Sequence, residues 1–370
     1  MRCWLISHDR VGLGSLRRQL VIAAALEELA PSARVLLTTC LNAAWHFPVP
    51  SNCEILDLPS PPEDPARAVR LLEIARTFRP DAMVVDKHPF GGGGELAAPI
   101  EAVKQAGGRV ILGLRDILDD RESVREKWLS SNIQQRIARY YDRILIYGSA
   151  SIFDAVEEYH FSVSLRERTR FCGYVVNRIP SAPALAVSGW SDQSAPLVIA
   201  CAGGGADGMQ LLQTFIQATQ DAAWHGSIVT GPLLDEPGYQ ILLRMASSHG
   251  VSCCRFNPHL ASLFPKARAL VCMGGYNTLL EAIASHVPVI CVPRTQPRSE
   301  QFLRASLFER LKLLRMITQD KLTSGRLGAA LNDLLRAPGR LVPAGGNPLL
   351  SFDGAKHAAR HILDIEWPGF

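Results

Sequence analysis

"CMGGYNTLLEAIASHVPVICVPRTQPRSEQ" (272–301) is the stretch whose reading decides the fold. An apolar run that begins at Ala269 ends at Met273, two glycines follow, and a helix-period segment starts near Tyr276. A second apolar run, "PVICVPR" (288–294), comes next. Strand, glycine turn, helix and strand are the repeating unit of a parallel sheet covered by helices. Gly274 and Gly275 let the backbone approach a ligand closely. The N–H groups and positive dipole end of the helix behind them form an anion site suited to a diphosphate. Asn277 and Thr278 add side-chain donors, and Glu281, one turn further on the same face, is placed to accept both hydroxyls of a ribose. The plain alternative is a helix start with an acid set against the dipole, but that term is worth only ~0.3–1 kcal/mol and asks for no glycine pair.

Working outward, the same unit recurs. "CWLIS" precedes Gly12 and Gly14, and "RVLLTT", "DAMVVD" (81–86), "RVILGL" (109–114) and "RILIYG" (143–148) follow. After "NRIPSAPALAVSGWSDQSAP" (177–196) the scheme restarts with "PLVIACAGGGADG" (196–208), "GSIVTG" (226–231) and the opening stretch. The expected architecture is α/β: two doubly wound domains with a cleft between them, and ligands at the carboxyl ends of the strands. The expected division is an N-terminal domain over 1–178, a linker over 179–195 and a C-terminal domain over 196–352. A helical segment over 353–370 starts at Asp353 as cap and packs back on the N-terminal domain.

The 370 residues exceed one ordinary core, and 47% apolar against 20% charged content describes a globular chain. Net charge +4, with no Lys/Arg block or interleaved aromatics, argues against a nucleic-acid partner and fits acidic small molecules. No apolar run approaches the ~18 residues of a membrane-spanning helix, and the first residues read as no secretion signal. Peripheral membrane contact stays open. Nine cysteines without zinc spacing predict reduced thiols, a cytoplasmic location and no metal site.

The decisive stretch resembles the nucleotide-sugar signature of the glycosyltransferase B fold, in the branch containing the MurG-type N-acetylglucosaminyltransferase and its relatives. The resemblance implies two Rossmann-like domains facing across a cleft. In that family the Gly-Gly turn and its helix hold the pyrophosphate, and the acid four residues after the Asn-like position binds the ribose, a role that falls on Glu281. "PRTQPRSEQ" (293–301) resembles the following loop, whose terminal pair reaches the donor sugar, here Glu300 and Gln301. "CRFNPHLASLFPKA" (254–267) resembles the base-binding loop, in which backbone near Phe256 and Asn257 reads a uracil edge. Ordinary core packing is the alternative for Phe256. "SHDRVGLGSLRR", "VVDKHPFGGGGEL", "LRDILDD", "CAGGGADG" and "PRTQPRSEQFLRA" together resemble a bacterial family of predicted glycosyltransferases. That resemblance covers most of the chain and implies no particular acceptor.

The expected activity is inverting, metal-independent transfer of a sugar from a nucleotide diphosphosugar of the UDP type. No cofactor is implied beyond that co-substrate, and no Asp-x-Asp metal motif is present. Gly203, Gly204 and Gly205 form a second phosphate turn, with Asp207 as a helix cap. On the acceptor side stand Gly12, Gly14, Ser15, Arg17, Asp86 and Lys87. Arg17 or Arg18 brings charge to the leaving phosphates or lies on a solvated helix face. "HPFGGGGEL" (88–96) reads as a mobile loop over the acceptor. Relatives carry His at the end of G-x-G-H, where this chain has Ser15, so the general base moves to His8, Asp9 or Asp116. A helix cap is the alternative role for Asp116. A nucleotide-sugar hydrolase and a non-catalytic nucleotide-sugar-binding protein remain as rival readings.

Overall fold

A computed structural model of the chain describes residues 1–8, 13–40, 47–58, 61, 64–177, 195–337 and 349–364. Two compact units emerge. One comprises Met1–Arg10, Gly14–Val176 and Leu349–Phe370, the other Val11–Leu13 and Asn177–Pro348. Nearly all of the expected linker 179–195 lies outside the described residues.

The first unit is built on seven strands: β1 (Arg2–Ile6), β2 (Arg34–Thr39), β3 (Cys53–Asp57), β4 (Ala82–Asp86), β5 (Arg109–Arg115), β6 (Arg143–Tyr147) and β7 (Thr169–Phe171). They run in the order β3-β2-β1-β4-β5-β6-β7, and every pairing is parallel. Helices α1 (Gly14–Leu29), α2 (Pro65–Phe78), α3 (Ala97–Gln105), α4 (Arg121–Ser130), α5 (Ile133–Tyr140), α6 (Ala155–Glu158) and α7 (Val163–Arg168) connect them. Starts are specified locally: the Asp64 side chain accepts from Ala66 N–H with Pro65 behind it, and Asp120 accepts from Ser123 N–H. One face of the sheet packs Trp4, Ile6, Met83, Val85, Leu112 and Ile146 against α2 and α3 residues such as Leu71 and Ile100.

The second unit repeats the scheme with six strands: β8 (Leu197–Cys201), β9 (His225–Val229), β10 (Ser252–Cys254), β11 (Ala269–Cys272), β12 (Val289–Cys291) and β13 (Arg315–Met316). Their order is β10-β9-β8-β11-β12-β13, again parallel throughout. Its helices are α8 (Met209–Ala218), α9 (Glu236–Ser248), α10 (Tyr276–Ala284), α11 (Glu300–Arg310) and α12 (Ser324–Arg336). Phe215, Leu242, Val271, Ile290 and Leu331 form its core. Cys201, Cys272 and Cys291 sit side by side in register on β8, β11 and β12, all buried as small hydrophobes.

Helix α13 (Gly354–Leu363) belongs to the first unit. It packs on α1 through Ala355, Ala358, Ala359 and Ile362, which are buried together with Leu16, Leu20 and Leu26. Its last carbonyls are taken by guanidinium groups: Arg109 donates to Ile362 O at 2.9 Å and Arg143 to His361 O at 2.8 Å. Asp353 stands at the N-cap position, but its side chain makes no cap bond.

Candidate functional site

In both sheets the strand order reverses next to the first strand, between β1 and β4 in one unit and between β8 and β11 in the other. Loops leaving such a pair diverge, and the crevice at the carboxyl ends is where doubly wound folds bind ligands.

In the first unit, β1 delivers His8 and β4 delivers Asp86, Lys87 and His88 to that edge. Asp86 is fully buried and clamped by α1: Ser15 Oγ donates to Oδ2 at 2.5 Å, Arg18 Nη2 to Oδ2 at 2.5 Å and Arg18 Nε to Oδ1 at 3.2 Å. Arg18 also donates to Gly14 O at 3.2 Å and lies 5.7 Å from the centre of the Tyr147 ring. The expectation for Arg18 is therefore corrected, since this guanidinium is neither on a solvated face nor directed at phosphates. A buried carboxylate needs a partner, and Arg18 is it. Arg17 is half-buried, whereas Asp9 and Gly12 lie outside the described residues.

Lys87 has φ +70°, and His88 N–H closes the turn on Asp86 O at 2.8 Å. A non-glycine residue held there costs about 1–3 kcal/mol and is found where a site needs it.

His8 is 7% exposed, its ring edge-on to His88 with centroids 6.1 Å apart. Its Nε2 is buried with no hydrogen-bond partner among the described residues. Burial lowers the His8 pKa to about 4, against the opposing pull of Glu95 and Asp86 and with smaller help from Arg67 and Lys87. The imidazole is therefore neutral near pH 7, with a ring-nitrogen lone pair able to take a proton.

The four-glycine segment is also corrected. Rather than a loose lid, it is folded onto the buried Glu95 carboxylate, which accepts from Gly92 N–H at 3.2 Å and Gly93 N–H at 2.9 Å and pairs with Arg67 Nε at 3.9 Å. A Cβ on Gly91, which has φ +87°, would come within 2.1 Å of that carboxylate. Asp116 follows β5, is 2% exposed, and does not cap α4, a task that Asp120 performs. β5 lies two strands from β1, so Asp116 and His8 leave the sheet roughly 10 Å apart.

In the second unit, β11 ends at Cys272, and Gly274 turns the chain with φ +80°. A Cβ there would lie 2.9 Å from Cys291 Sγ, so packing alone explains that glycine. Gly275 is different: its φ is −59°, and a Cβ on it would meet nothing within 4 Å. The fold does not require glycine at 275, and open space lies in front of the helix start. Helix α10 begins at Tyr276, with Gly275 at its N-cap position. Asn277, Thr278 and Glu281 are 9%, 8% and 4% exposed on its one face.

The Gly203–Gly205 turn has φ +63° at Gly203 and +100° at Gly205. Gly205 N–H is occupied by Ala202 O, and Gly205 packs on Gly231, with Thr230 O only 2.4 Å from where its Cβ would be. Asp207 does not take the N-cap position of α8, contrary to expectation: Gly208 stands there, and the Asp207 carboxylate accepts from Arg294 Nη1 at 2.8 Å. Phe256 is half-buried and outside the core, and Asn257 Oδ1 accepts from His259 N–H at 2.9 Å to shape the loop after β10.

Glu300 and Gln301 open α11, both buried. The Gln301 amide donates to Met273 O and accepts from Arg294 Nε at 3.3 Å, and Arg294 Nη2 lies 3.5 Å from Glu300 Oε1. Arg294 is the residue that sequence reasoning missed. Among the described residues, no group of three or more His, Cys, Asp or Glu is placed to hold a metal ion, and no helix is long and apolar enough to cross a membrane.

Residues 203–357 match the model of the glycosyltransferase family 28 C-terminal domain. The chain has the glycosyltransferase B fold, and it is similar to that family's domain over this segment. The MurG structure of Acinetobacter baumannii is similar at TM-score 0.59 and 13% identity over 99% of this chain and 100% of that one. The calicheamicin glycosyltransferase CalG4 is similar at TM-score 0.55 and 16% identity over 98% and 94%. The UDP-GlcNAc 2-epimerase of Neisseria meningitidis, bound to UDP-GlcNAc, is similar at TM-score 0.65 and 13% identity over 99% and 100%. At such identities the likeness establishes the fold alone. No curated protein matches the chain.

Proposed function

We propose that this protein transfers a sugar from a UDP-type nucleotide diphosphosugar to an acceptor, with inversion at the anomeric carbon and without a metal ion. The observation that carries the reading is the Gly274–Gly275 turn at the start of α10, with open space at Gly275 and the buried Glu281 carboxylate one turn on. Both lie inside the segment that matches the family 28 domain. The helix start stabilises the departing diphosphate, Glu281 takes the ribose hydroxyls, and the loop near Phe256 and Asn257 takes the base. His8 serves as general base, because an imidazole kept neutral by burial accepts the acceptor's proton as it attacks; such a group contributes about 10²–10⁴-fold. Nine cysteines that form no disulfide support work in a reducing compartment.

Binding of the nucleotide sugar without turnover is the second reading, and Ser15 favours it: its hydroxyl is bound to Asp86 where relatives of this type place a histidine. The test is UDP release from labelled UDP-sugars with and without cell extract. Release that requires extract supports transfer, and release in buffer alone supports hydrolysis. Binding without turnover in either condition marks a nucleotide-sugar-binding protein.

A further inference from the structure

Arg294 follows β12 at the carboxyl edge of the second unit's sheet, and its guanidinium is tied to both glycine turns. Through Nη1 it meets Asp207, directly after the Gly203–Gly205 turn, at 2.8 Å. Through Nε it meets the Gln301 amide at 3.3 Å, and that amide in turn holds Met273 O at the base of the Gly274–Gly275 turn. The side chain is still 24% exposed, and its Asp207 partner is 44% exposed. By contrast, Arg18, one of the two arginines considered for the leaving group, is 2% exposed and committed to Asp86.

We infer that Arg294 is the diphosphate-binding cation of this site, resting on Asp207 in the free protein and exchanging that carboxylate for a phosphate when the donor binds. The inference rests on the nucleotide-sugar reading above and names a residue for it. Three features lead there. The guanidinium is linked to a residue beside each turn, Asp207 and, through Gln301, Met273, so an anion seated between the turns meets it. Its planar fork matches phosphate oxygens as well as it matches a carboxylate. The Asp207 contact is solvent-exposed and therefore weak, so a doubly charged phosphate displaces it at little cost. Glu300 Oε1, 3.5 Å from Nη2, and Gln301 keep the guanidinium in place while the exchange occurs. Arg294 thereby also links phosphate binding to α11, which begins with these two residues.

The experiment is calorimetric titration of UDP, UMP and uridine into wild type, Arg294→Ala, Arg294→Lys and Asp207→Asn. Arg294→Ala is expected to weaken UDP binding about tenfold to a hundredfold, the range set by loss of a charge-assisted pair, and to leave uridine binding unchanged. Arg294→Lys recovers part of the loss, since a point charge replaces the fork. Asp207→Asn keeps or tightens UDP affinity because it frees the guanidinium. If Arg294 only braces the loops, Asp207→Asn weakens UDP as Arg294→Ala does, or uridine suffers equally, and the inference falls. If wild type binds UDP and Arg294→Ala binds it equally well, the inference falls and the nucleotide-sugar reading stands. If wild type binds neither UDP nor any of ADP, GDP, CDP and TDP, both fall.

Discussion

The burial of His8 makes a measurable demand. Its pKa is lowered from 6.5 to about 4, chiefly by desolvation. Above pH 6.5 the folded and unfolded chains both carry it neutral. Between 6.5 and 4 the unfolded chain binds a proton that the folded chain refuses, so stability falls as the pH drops and the loss levels off below 4. At about 1.4 kcal/mol per pH unit, His8 alone costs the fold about 3 kcal/mol by pH 4. Two measurements check this. In histidine-labelled protein, the ring resonance that disappears in His8→Asn should titrate near 4. In denaturant unfolding between pH 7 and pH 4, His8→Asn should lose about 3 kcal/mol less than wild type. A ring resonance titrating at 6.5 or above would refute the reasoning, since the histidine would then be solvated or paired as a cation. It would also remove the basis for a general base that stays competent through mildly acidic pH, where kcat/KM should keep its value until the same low pKa is reached.

The remaining predictions concern the two strand-end crevices. Glu281→Ala should abolish nucleotide-sugar binding while circular dichroism stays unchanged, and an unaltered affinity by calorimetry would sink the donor-site assignment. Ser15→Ala should reduce turnover far less than His8→Ala and cost about 1.5–3 kcal/mol of stability, the value of one hydrogen bond to a charged group, read by thermal unfolding. Asp86→Ala leaves the Arg18 guanidinium buried without its carboxylate and should destabilise by about 3–5 kcal/mol, whereas Arg18→Met with Asp86→Leu should recover much of that loss.

The central strands were legible because β1, β4, β5, β8 and β11 are continuous apolar runs buried on both faces. The strands β3, β7, β10 and β13 went unread. They are edge strands, half-exposed and as short as two residues at Arg315–Met316, and no period shows at that length. Helix α10 and its glycine turn were legible from Gly274 to Glu281 because their parts are adjacent in sequence. What escaped was pairing over distance. Arg18 and Asp86 are separated by 68 residues and Arg294 and Asp207 by 87, and neither pair has a local sign. The four glycines at 91–94 misled for a related reason. Their composition speaks of freedom, but Glu95 folds back on them and takes their N–H groups.

The placement of α13 bears on how the chain assembles during synthesis. Residues 354–363 cover α1, yet they are translated after the whole of the second unit's Asn177–Pro348. The usual order, in which the segment made first folds first, is thus inverted. The second unit has almost all its residues before α13 emerges, while the first must wait with the α13-facing side of α1 uncovered. A chain that has left the ribosome only as far as residues 348–354 would therefore display the whole second unit beside an α1 that still lacks its covering helix.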